Sequence, residues 1–109
     1  MKTRKVIVLD VVKADFRKIK RYVKRDFGDL VWDEVNAEFK ESVRKIGLNA
    51  EGGKNITELE GVGGENFRMR LVRQTKVVYE FDDEKVLVHM FMHSNMDFRS
   101  HLFQRLFDI

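Results

Sequence analysis

The sequence predicts an α+β fold: an N-terminal strand, an antiparallel helical hairpin, a three-stranded antiparallel run completing a sheet of about four strands, and a short C-terminal helix. Three observations carry this. From residue 13 to 46 apolar residues recur every three or four positions, the period of a helix with one buried face. From Phe67 to His93 the period becomes two, that of a strand. A pair of amphipathic helices must bury its stripe, and the sheet is the only partner large enough.

The β-branched run Val6, Ile7 and Val8, within residues 4–12, favours the first strand. Phe16, Ile19, Val23 and Phe27 then form one helical stripe, with basic residues around the remainder. Gly28 interrupts that helix, and Asp29 is placed to cap the next, since a carboxylate can accept the open N–H groups of a first turn. Trp32, Val35, Phe39, Val43 and Ile46 give a long apolar face from about residue 30 to Ile46, and Gly47 is a natural stop. So short a break between helices predicts an antiparallel pair.

Six of the seven glycines fall between residues 47 and 66, around the short apolar stretch Ile56–Leu59. A phosphate-cradling loop would need a preceding strand and a following Gly-Lys-Ser/Thr, and neither is present, so a plain loop is expected. In the next strand Phe67, Met69 and Leu71 face one way and Arg68 and Arg70 the other. A second strand runs from Lys76 to Phe81, Asp82 and Asp83 turn the chain, and Val86 to Met92 forms a third. In the third strand Val86, Val88, Met90 and Met92 alternate with Leu87, His89, Phe91 and His93; both sets are fairly apolar, as in a covered central strand. Asn95 or Asp97 starts the final helix, which carries Phe98, Leu102, Arg105, Leu106 and Ile109.

A length of 109 residues suits one domain, 1–109, able to bury about two-thirds of the surface its unfolded chain exposes. With 43% hydrophobic residues a core is available. No cysteine is present, which excludes disulfides and thiolate metal sites. Three histidines without a carboxylate at ligand spacing make no zinc site, so neither metal nor cofactor is expected. The apolar run after Lys2, Arg4 and Lys5 is too short for a signal peptide or a membrane span, making the cytoplasm the default location, with no membrane partner. The net charge of +3 is unevenly spread: residues 1–26 hold ten basic against three acidic residues, while residues 27–64 are acidic. One strongly basic end can attract a polyanion or an acidic protein.

Three segments together resemble the RelE/ParE superfamily of bacterial type II toxins. Ile56-Thr57-Glu58-Leu59-Glu60-Gly61 is similar to the family's segment ahead of the sheet. Phe67-Arg68-Met69-Arg70-Leu71 and Lys76-Val77-Val78-Tyr79-Glu80-Phe81 resemble its strand pair. Asp83 to Val86, leading into His93-Ser94-Asn95-Met96-Asp97-Phe98, resembles its ending. Val12 to Val23 looks like its first helix, and the element order agrees along nearly the whole chain. The resemblance implies a toxin held inactive by a cognate antitoxin, acting either as a ribosome-dependent mRNA interferase or as a poison of DNA gyrase. The interferase reading leads; a non-enzymatic gyrase poison and a catalytically weakened binding module are the alternatives. The family's basic positions fall on Arg68, Arg70 and, near the next strand, Lys76. Its last motif departs here: Ser94 stands where the family has arginine and Phe98 where it has tyrosine, so the ring keeps stacking and loses the hydroxyl.

Cleavage of RNA without a metal needs removal of the 2′-hydroxyl proton, neutralisation of the phosphorane and protonation of the leaving 5′-oxygen. Arginine suits the second task because its planar fork pairs with phosphate and stays charged. Arg68 and Arg70 therefore form the expected clamp, with Lys76 across from them and Arg73 near the turn; the alternative is an ordinary solvated strand face. His93 is the expected proton carrier, since histidine titrates near neutrality. Glu60 or Glu65 is a further candidate base if its loop folds over the sheet, His89 is expected inside, and His101 on the surface. Lys18, Arg21, Lys24 and Arg25, with Arg17 and Lys20, make a helix face that can follow RNA phosphates or simply be solvated. Tyr22, Tyr79 and Phe98 are the expected base-stacking rings, while most of the nine phenylalanines fit core positions. An antitoxin's acidic segment would be expected against Arg68, Arg70 and Lys76 and the groove near Leu102 and Leu106.

Overall fold

The computed structural model describes residues 3–93 and 97–107. Its elements are β1 (Lys5–Val8), α1 (Asp10–Phe27), α2 (Asp29–Leu48), β2 (Lys54–Asn55), β3 (Phe67–Val72), β4 (Thr75–Phe81), β5 (Lys85–His93) and α3 (Phe98–Phe107). The α+β class and the hairpin are as expected. The sheet has five strands, in the order β1-β5-β4-β3-β2, rather than about four. The additional strand is the two-residue β2, whose Lys54 and Asn55 pair antiparallel with Met69 and Arg68. The sheet is mixed, because β1 runs parallel to β5 while the other pairs are antiparallel.

The first strand ends at Val8 and the helix begins at Asp10, earlier than the apolar pattern suggests. Gly28 holds φ at +89°, a region costly for a residue with a Cβ, and this bend separates the two helices. Asp29 is the first helical residue of α2, and no side chain caps that end. Phe27, expected in the buried stripe of α1, is 58% exposed and packs its edge on Tyr22.

Apolar residues divide between the two sheet faces. Val12, Val23, Trp32, Val35, Phe39 and Ile46 of the hairpin pack on Val72, Val77, Tyr79, Val86, Val88 and Phe91. Phe16 makes ring contacts with Trp32, Phe39 and Phe91 at 5.3, 5.4 and 5.9 Å, locking α1, α2 and β5 together. On the other face Phe98 and Leu102 of α3 pack with Ile56, Leu59, Val78, Met90 and Met92. Asp97 caps α3: the Ser100 N–H donates to Oδ1 at 3.2 Å and the Ser100 hydroxyl to Oδ2 at 2.8 Å. The expected alternative cap, Asn95, and the helix residue Ile109 lie outside the described residues.

The alternation expected along β5 is broken. Val78 pairs with Met90 but Tyr79 with Val88, so His89 is an extra, unpaired residue. The bulge exchanges the faces: Val86 and Val88 join the hairpin core, whereas Met90 and Met92 join the α3 core. One set therefore fills first one core and then the other, while of the second set Phe91 alone joins a core, on the hairpin side.

Candidate functional site

A concavity opens where the bulge and the short β1 leave the end of β5 uncovered. Since β1 pairs only as far as Val88, the edge of β5 beyond it has no neighbouring strand. Side chains serve that edge instead. Asp15 of α1 accepts a hydrogen bond from the Phe91 N–H at 3.2 Å, and Arg105 of α3 donates to the His89 carbonyl at 2.8 Å. Asp15 and Arg105 also pair with each other, through bonds of 2.8 and 3.0 Å. This largely shielded ion pair ties α3 to α1 across the end of the sheet.

Above it opens a cleft of about 940 Å³ between α1, the start of α2, the β3–β4 turn and α3. Its floor is apolar, with Val23, Val31, Val35, Val72 and Phe91. Its polar wall includes Lys18, Tyr22, Arg73, His93 and His101. His93 lies beside the half-exposed Tyr22, with ring centroids 6.2 Å apart. Arg73 sits at φ +53°, a turn position unusual for a residue with a side chain, and its guanidinium reaches Glu38 and Glu34 of α2. His101 is exposed, as expected, and its Nδ1 lies 2.8 Å from the Asp97 carbonyl, which as an acceptor takes the bond from Nδ1–H.

Three of the expected site residues, Lys18, Arg73 and His93, therefore share one cavity. The others lie elsewhere. Arg68 and Arg70 do share a face, opposite Tyr79 and Val77. They are half-buried, however, and not on an open solvated face, because the loop after α2 folds over them. Three contacts hold that loop. Arg4 donates to both Glu51 carboxylate oxygens at 2.7 and 2.9 Å, which keeps that carboxyl below the usual range. The Tyr79 hydroxyl donates to the Ala50 carbonyl at 2.6 Å. Gly53 lies so close that a Cβ there would meet the Tyr79 hydroxyl and come within 2.9 Å of the Arg68 Cβ. Arg68 donates to the carbonyls of Glu65 and Phe67, and its guanidinium stands 5.3 Å over the Phe81 ring. Arg70 Nε is buried with no hydrogen-bond partner.

Lys76 is not across from the two arginines. It pairs with Leu71 and Met92, on the α3 face, and its ammonium stands 5.0 Å over the Phe98 ring. The alternation that puts Arg68 and Arg70 on one face puts Lys76 on the other in this register. Phe98 is 8% exposed and belongs to the α3 core, so its ring is not an open stacking surface. Leu102 is fully buried and Leu106 packs beside it, so the groove expected there is filled by α3 itself. Arg21, Lys24 and Arg25 are exposed on α1, with Arg25 bonded to Asp26 at 2.8 Å. Glu60 and Glu65 are exposed. His89 is half-buried, 2.9 Å from Glu80 and 5.4 Å from the Phe67 ring. Ser94 lies outside the described residues.

Sequence reasoning missed the cleft's Tyr22–His93 pairing and the place of His101 in its wall. The spacing of eight residues between the two histidines carries no local signal, since one ends β5 and the other lies in α3. Among the described residues no cluster of histidine and carboxylate side chains can hold a metal, and no helix is long and apolar enough to cross a membrane. No model of a known protein family matches the chain, and no curated protein matches it.

Proposed function

We propose that the protein is a toxin of RelE/ParE type acting as a metal-independent endoribonuclease on ribosome-bound mRNA, with the cleft at the end of β5 as its working site. The observation that carries this reading is the meeting of His93, Tyr22, Lys18 and Arg73 in one cavity. A histidine supplies proton transfer, cations hold a phosphate, and a half-exposed tyrosine ring offers a surface for a base. The exposed basic face of α1 runs from this cavity and suits the phosphates of ribosomal RNA. Arg68, Arg70 and Lys76, the positions given by the family resemblance, stand in this reading outside the cleft, the arginines against the loop after α2 and Lys76 on the Phe98 ring.

The second reading, a non-enzymatic poison of gyrase, is favoured by one observation. Phe27 and Leu30, 58% and 81% exposed, flank the helical bend and suit contact with a protein. In either case a cognate antitoxin would take up the exposed cations, and an acidic segment that displaced α3 would reach Met90 and Met92. The test is mRNA cleavage on purified ribosomes by the parent and by His93→Ala. Cleavage by the parent and a loss of at least a hundredfold in the variant is expected. Growth arrest with a DNA-damage response and intact mRNA would establish the gyrase reading instead.

A further inference from the structure

We infer that His101 is the second proton-transfer residue of the cleft, acting as general base while His93 acts as general acid; this rests on the nucleolytic reading above. Cleavage by transphosphorylation needs two such groups, because one proton leaves the 2′-oxygen as another reaches the 5′-oxygen. The cavity presents two imidazoles on different walls, His93 at the end of β5 and His101 in the first turns of α3. The roles follow from the hydrogen bonding of His101. Its Nδ1–H is held by the Asp97 carbonyl at 2.8 Å, which leaves Nε2 as the acceptor in the neutral ring. The same carbonyl accepts the His101 backbone N–H at 3.2 Å, so the ring and the first turn of α3 share one anchor.

The step balances without a co-reactant. His101 Nε2 takes the 2′-hydroxyl proton, the 2′-oxygen bonds to phosphorus, the bond from phosphorus to the 5′-oxygen breaks, and His93 gives its proton to that oxygen. The products are a 2′,3′-cyclic phosphate and a 5′-hydroxyl. The charged and titratable groups facing the two histidines are Asp15, Lys18 and Tyr22 from α1, Arg73 from the β3–β4 turn, and Arg105 from α3, with Asp97 beneath His101. Asp15 and Arg105 neutralise each other. Lys18 lines the cavity as the cation for the phosphate, and Arg73 is shared with Glu34 and Glu38.

The experiment measures cleavage of ribosome-bound mRNA against pH for the parent, His101→Asn and His93→Asn, with product ends identified. Asparagine at 101 places an amide N–H where Nδ1–H was, so it keeps the Asp97 carbonyl bond and removes only the base. The parent should give a bell-shaped profile and cyclic phosphate ends. His101→Asn should fall at least a hundredfold and lose the acidic limb. His93→Asn should lose the alkaline limb and recover activity on RNA carrying a 5′-bridging sulfur at the scissile bond, since a thiolate leaves without a proton. A parent that cleaves, with His101→Asn matching it in rate and profile, overturns the role of His101 and leaves the nuclease reading intact. A parent that never cleaves overturns both.

Discussion

At the scale of single residues, Arg68 and Arg70 lie half-buried beneath a loop that Tyr79 helps to hold. Tyr79 is fully buried, and burial pushes its phenol up, so the neutral hydroxyl is kept as a donor to Ala50. Removing only that oxygen leaves the Ala50 carbonyl unsatisfied in a place water reaches poorly. Tyr79→Phe is therefore expected to cost about 1–2 kcal/mol in denaturant unfolding, while the rest of the ring stays packed. A variant as stable as the parent would show that the bond to Ala50 does not help to hold the loop. The alternation of Arg68 and Arg70 with Phe67 and Met69 was legible from the sequence, and so was the tight turn, where Asp82 Oδ1 accepts from the N–H groups of Glu84 and Lys85. The cover over the arginines was not. It depends on Glu51 meeting Arg4 and Ala50 meeting Tyr79, contacts 47 and 29 residues apart that no local pattern encodes.

At the scale of elements, periodicity located both long helices and three of the strands, and failed where one residue changes a face. A strand pattern assumes strict alternation, so the extra residue at His89 turns Met90 and Met92 away from the face of Val86 and Val88. Two residues of β2 are too few to show a period at all. The start of α3 was readable to within two candidates, Asn95 and Asp97, and the Asp97 cap makes a pH-dependent prediction. The hydroxyl and then the N–H of Ser100 hold the Asp97 carboxyl below the usual carboxylate range. A lowered folded-state value means the cap's contribution is complete above the ordinary carboxylate pKa of about 4 and is lost as pH falls through the folded value. In acid the Ser100 amide resonance should move and α3 should loosen on β5. Asparagine caps without titrating, so Asp97→Asn should keep that resonance in place over the same range. Equal acid shifts in parent and variant would place the transition in another group.

At the scale of the whole molecule, the uneven charge seen in the sequence becomes a surface that begins at the cleft. Lys18 lines the cavity, and Arg21, Lys24 and Arg25 continue outward on the exposed side of α1. Two of these already have acidic neighbours, Asp26 for Arg25 at 2.8 Å and Asp29 for Lys24 at 3.8 Å. Such exposed pairs are weak and exchange readily for a phosphate. Their place on a solvated face means that replacing them should leave folding nearly unchanged, while any polyanion binding they support must show in its salt dependence. Each single-stranded phosphate neutralised contributes about 0.7 to the slope of log affinity against log salt. Changing Lys18, Arg21, Lys24 and Arg25 together to alanine should then weaken binding of a short single-stranded RNA and flatten that slope by up to about 3. Contacts that Asp26 and Asp29 continue to hold would make the change smaller. Fluorescence anisotropy across a potassium chloride series measures it, with circular dichroism confirming that α1 persists. A slope unchanged by the fourfold substitution would show that RNA does not follow α1, and that the basic end of the chain keeps the helix solvated without guiding a substrate into the cleft.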